Sequence, residues 1–98
     1  MTEEEIERRL WVLNRTLGGS TPMPGLEGPH RHAEIAACHF AAYRHLQAWG
    51  DSTAAERRAQ ARDEIEAAQQ AYASAEVTLD GLGDELIAIA HALQEVAP

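Results

Sequence analysis

An all-α fold, a small four-helix bundle, is the architecture that this 98-residue sequence predicts, and three observations point to it. Large apolar residues recur at spacings of three and four within separate stretches, which places them on one face of a helix. Breaks rich in Gly, Pro, Asp and Ser divide those stretches into four. No apolar/polar alternation runs far enough to make a strand, and no segment repeats another. The expected layout is one helical domain over residues 1–98, with helices at about 3–17, 29–49, 53–79 and 82–96 and a loop at 18–28. A short N-terminal helix, set off by that loop, precedes a three-helix antiparallel core.

The first helix has a start signal in Thr2-Glu3-Glu4-Glu5, a capping box in which the Thr2 hydroxyl accepts from a free backbone N–H. Ile6, Leu10, Leu13 and Leu17 form its stripe, and Gly18-Gly19 ends it. The segment GGSTPMPGLEGP, with four Gly and three Pro in twelve residues, cannot continue a helix. Gly28-Pro29 marks the second start, because proline is tolerated in the first helical turn. Gly50 stops that helix, and Thr53 with Glu56 forms the capping box of the third. The stripe of the third helix is Ala61, Ile65, Ala68, Tyr72, Ala75 and Leu79, so a neighbouring helix is expected to approach closely over the alanines. Asp80-Gly81 interrupts, and the last helix carries Leu82 or Leu86, Ile89, Leu93 and Val96 at heptad-like spacing.

Charge and composition narrow the functions. The net charge is −8, there is no lysine, and the eight arginines are scattered among sixteen acids. Direct nucleic-acid binding is not expected, since it draws on gathered Lys and Arg. The absence of lysine also excludes Schiff-base chemistry and a Walker-type phosphate loop. Arg interspersed with Glu breaks up the uniformly negative field that an acidic DNA mimic needs, which leaves that reading a minor alternative. The acidic N-terminus does not read as a signal peptide and no apolar run reaches membrane-spanning length, so a soluble, cytoplasmic protein without membrane contact is expected. One cysteine, Cys38, cannot make an internal disulfide.

Four of the five histidines and Cys38 fall between Gly28 and His45. On a helical wheel His32 and His39 share the direction of Ile35, Tyr43 and Leu46, which is therefore the expected core face. His30, Glu34, Cys38 and His45 occupy the other flank, and the i,i+4 spacings among them make a transition metal the alternative function to weigh. Neither CxxC nor HxxxH is present, and the flank lacks a ligand from another segment, so no metal and no other cofactor are expected. Cys38 and His39 diverge by about 100° on a helix, and no nucleophile is positioned for catalysis. An enzyme is not expected.

Trp11, Val12 and Ile87 lie off their helix stripes, and Trp49 stands at the end of the second helix where a thin core does not reach. Large apolar residues left outside a core mark association surfaces. The expected function is protein–protein binding through Trp11, Val12, Trp49 and Ile87, with self-association as a homodimer. At the level of class only, a short, acidic, lysine-free chain resembles the small accessory or regulatory proteins of bacteria and their phages that act by binding another protein.

Overall fold

The first helix begins where the sequence places its cap: the Thr2 hydroxyl accepts from the Glu5 N–H at 3.1 Å. Three glutamates then fill the first turn, where the dipole favours them, and Arg15 sits in the last. In the computed structural model, which describes residues 1–95, the helices are α1 (Glu3–Thr16), α2 (Glu27–Ala48), α3 (Ala54–Ala73) and α4 (Leu82–Gln94). No strand occurs among the described residues. Val96, the last member of the predicted α4 stripe, lies outside them.

Three boundaries differ from the expectation, each for a local reason. α2 starts two residues early, at Glu27, because Gly28 and Pro29 fall in the first turn, whose N–H groups need no intrahelical partner. Thr53 makes no side-chain cap for α3; instead Asp51 Oδ1 accepts from both the Thr53 N–H (2.8 Å) and its hydroxyl (2.6 Å). α3 ends at Ala73 rather than 79, and the chain beyond it folds back so that the Tyr72 hydroxyl accepts from the Leu79 N–H at 3.1 Å. Ala75 and Leu79 still pack on the core, so the stripe is right while its backbone is not helical.

α1 is a full member of the bundle and not an appendage. Ile6, Leu10, Leu13 and Leu17 are all buried, and α1 packs on both α2 and α4. Each helix touches the next in chain order, and α4 closes back on α1, so the four stand at the corners of a square. The connecting loop is held from both sides. Gly18 has φ +122°, and a Cβ there would run into the Thr21 carbonyl, so this turn requires glycine. Leu26 at the other end of the loop is fully buried beside Leu10, Leu17, Phe40, Ile65, Leu86, Ile89 and Leu93 in the hydrophobic core.

The α2–α3 contact is the most extensive of the four. Ala33, Ala36 and Ala37 on α2 and Ala61 and Ala68 on α3 are fully buried, and a Cβ on Gly28 would lie 3.3 Å from the Ala71 methyl. Small side chains let two helix backbones approach closely, and the close approach is what buries them.

Candidate functional site

The histidine-rich helix presents a different face to the core from the one its large residues suggest. Its buried residues are Pro29, His30, Ala33, Ala36, Ala37, Phe40 and Tyr43. That direction is rotated by about 135° from the Ile35–Leu46 line. Ile35 and Leu46 are only half-buried, while Phe40 and the alanines occupy the centre. His32 and His39 consequently lie at the α2–α3 edge and not in the core. His32 Nδ1 is 2.7 Å from Glu64 Oε2, and His39 Nδ1 accepts from the Arg57 guanidinium at 3.2 Å. Arg57 can only donate, so this bond requires Nδ1 of His39 to be unprotonated.

His30 is the inward histidine. It is 5% exposed and its Nε2–H donates to the Gly19 carbonyl, tying the loop to the start of α2. Glu34 Oε2 lies 3.9 Å from the same ring nitrogen and accepts from Asn14 Nδ2 at 3.4 Å. These side chains form a polar strut between the end of α1, the loop and α2. Cys38 and His45 are exposed further along the helix, and the His45 ring leans on Trp49 with centroids 6.2 Å apart. From His30 to His45 the backbone advances about 22 Å, so the four possible ligands cannot close on one ion. Among the described residues no three His, Cys, Asp or Glu side chains gather closely enough to hold a metal.

The four off-stripe apolar residues are exposed but do not form one patch. Trp49 is 78% exposed, Ile87 47%, Val12 45% and Trp11 39%. Side-chain pairs fix where each one stands. On α1, Glu7 pairs with Arg44 of α2 at 2.7 Å, and Arg9 pairs with Glu85 of α4 at 2.6 Å. Trp11 therefore sits on the α2 side of the outer face of α1, and Val12 on the α4 side. On α4, Glu85 marks the α1 side, while Gln94 reaches Glu66 of α3, so Ile87 lies toward α3. Trp49 caps the far end of α2, beyond the last buried residue of that helix, Tyr43.

Two concave features flank these residues. A groove of about 280 Å³ runs between α1 and the start of α4, floored by Val12, Leu13, Leu79 and Leu82, with Arg8 and Asp80 on its walls. A cleft of about 450 Å³ opens near the α2–α3 turn, between Tyr43, Gln47, Arg58, Arg62 and Leu93. Arg58 is already engaged there: it donates to the carbonyls of Leu93 and Ala92 at the end of α4 and lies 5.9 Å from the centre of the Tyr43 ring. Its role as a C-terminal clamp has no local sequence signal, because its partners are more than thirty residues away. The bidentate bond to Glu85, reinforced by the charge of that carboxylate, raises the Arg9 pKa above its ordinary value.

No protein-family model matches this chain, and comparison with curated proteins and with solved structures finds no match either. No described helix is long and apolar enough to cross a membrane.

Proposed function

We propose that the protein is a non-enzymatic binding module that docks a protein partner through the Trp49 end of the bundle. The carrying observation is the 78% exposure of Trp49 at the C-terminal cap of α2, where the α2–α3 turn holds it out from the core. Tryptophan is the residue most enriched among energetic centres of interfaces, and burying this side chain in a partner removes a large apolar surface from water. Support comes from the surroundings as well. His45 braces one side of the ring, and Asp51 follows in a turn held by Thr53, so the aromatic stands beside a fixed carboxylate. Hydrogen bonds from Thr53 hold the Asp51 carboxyl below its ordinary pKa, so it is charged at neutral pH. A partner surface with an apolar pocket rimmed by basic groups matches this end.

The test is in-cell crosslinking with mass spectrometry in the native host, comparing wild type with Trp49→Ala. A partner crosslinked near Gln47–Thr53 and lost at least tenfold in the variant, with an unchanged melting temperature, is the expected outcome. Retention of the same crosslinks in Trp49→Ala contradicts the reading.

A further inference from the structure

We infer that a second copy of this chain docks on the outer face formed by α1 and α4, with α1 of each copy lying across α4 of the other. This surface is distinct from the Trp49 end, so either assignment can fail without the other. The inference starts from unpaired charge. Most side-chain cations are engaged: Arg9 with Glu85, Arg44 with Glu7, Arg57 with His39, Arg58 with α4 carbonyls and Arg62 with Asp63. Among the described residues Arg8, Arg15 and Arg31 make no ion pair and all three are exposed, but Arg31 stands alone on α2 beside the loop, whereas Arg8 and Arg15 share one helix. Seven residues apart, these two project from the same outer side of α1, with Trp11 and Val12 on either flank. A protein of net charge −8 thus carries a local basic stripe with apolar borders.

The complementary stripe is on the adjacent helix. Asp80 and Asp84 are exposed and make no ion pair among the described residues. The intramolecular contacts fix the relative level of the two stripes. Arg9 meets Glu85, and Thr16 lines the same groove as Leu79 and Leu82, so α1 and α4 run antiparallel with Arg8 near the level of Asp84 and Arg15 near that of Asp80. A two-fold axis parallel to the helices, lying over the groove, preserves level while exchanging α1 for α4. It sets Arg8 of one copy against Asp84 of the other and Arg15 against Asp80, twice over. The same operation brings the two Val12 side chains together above the apolar floor of Val12, Leu13, Leu79 and Leu82. Glu4, the acid farther along the outer face, stands at the level of His91 rather than opposite another carboxylate. A two-fold axis perpendicular to the helices instead stacks α1 on α1 and sets arginine against arginine, so charge selects the first arrangement.

The face spans about 20 Å along and about 20 Å across two helices, roughly 400 Å² per copy, which is below the usual range of stable interfaces and makes the dimer a weak one that loosens with salt. Sedimentation at about 100 μM and low salt should give twice the 10.7 kDa chain mass for wild type. Arg8→Asp alone and Asp84→Arg alone should each raise the dimer dissociation constant at least tenfold while the melting temperature holds. A 1:1 mixture of these two variants should regain a dimer, because in the mixed pair both intermolecular contacts unite opposite charges, whereas each variant with itself sets like charges together. Trp49→Ala should sediment as wild type does. A wild-type monomer at this concentration, dimers retained by either variant, or a mixture that stays monomeric would overturn the inference.

Discussion

The two halves of this bundle are joined by different means. α2 and α3 meet over alanines, with their backbones close and their shared edge closed by His32–Glu64 and His39–Arg57. α1 and α4 meet over leucines and isoleucines but touch less, and the space left between them is the groove beside Val12. Large side chains hold helices apart and fill the middle; small ones draw backbones together and leave little free surface. The hairpin of α2 and α3 is accordingly the rigid half, and the α1–α4 pair is the half with surface still available for association.

Substitutions sharpen that contrast, and the largest effect belongs to Phe40, the largest fully buried side chain, which sits within the alanine face of α2. Phe40→Ala empties a fully buried site between helices that cannot move closer, and about 3–5 kcal/mol of stability should be lost in urea unfolding. Leu86→Ala on the α1–α4 side should cost less than Phe40→Ala, within about 2–4 kcal/mol, since the groove side has room to relax. An equal or larger loss there would show that the seam is packed as tightly as the hairpin. Enlarging a residue probes the same difference in reverse: Ala61→Leu should destabilise by about 1–3 kcal/mol through overpacking, whereas Val12→Leu at the open groove should change stability by less than about 0.5 kcal/mol.

How readily each half could be read from the sequence follows the same division. Ile6, Leu10, Leu13 and Leu17, and then Leu86, Ile89 and Leu93, announce their faces by size and spacing, and all are buried. Sequence pattern points to the wrong face of α2 because alanines weigh little in a hydrophobic stripe, while Ile35 and Leu46 weigh much and are only half-buried. Which way an alanine-rich helix turns is decided by the partner that can approach it, and the partner is distant in sequence. The early end of α3 depends likewise on the Tyr72–Leu79 bond, and the clamp of Arg58 on α4 on a contact across the bundle. Exposure of Trp49 was legible from its place at a helix end. The positions of Trp11, Val12 and Ile87 on three separate sides required the Glu7–Arg44, Arg9–Glu85 and Gln94–Glu66 contacts to orient their helices.

Two smaller effects complete the comparison. Burial first, and the Glu3 side chain second, raise the Tyr43 phenol above its ordinary value of 10.0. A folded pKa above the unfolded one means that this contribution is complete below the unfolded value and is lost as pH rises through the folded one. Wild-type stability should therefore decline above about pH 10, and Tyr43→Phe should flatten that decline in alkaline unfolding. With no lysine in the chain, few other groups titrate there. Arg9→Ala is also a small change: both partners of the Arg9–Glu85 pair are 34% exposed, so no more than about 1 kcal/mol should be lost in a thermal melt.

Hydrogen exchange on the wild-type protein at two concentrations, one well below and one well above the dimer dissociation constant, tests the division between halves most directly. The predicted result is that amides of α2 from Ala33 to Phe40 and of α3 from Ala61 to Ala68 exchange slowest at both concentrations, while α1 and α4 gain protection only at the higher one. Equal protection across all four helices, unchanged by concentration, would contradict both the rigid alanine hairpin and the docking face opposite it.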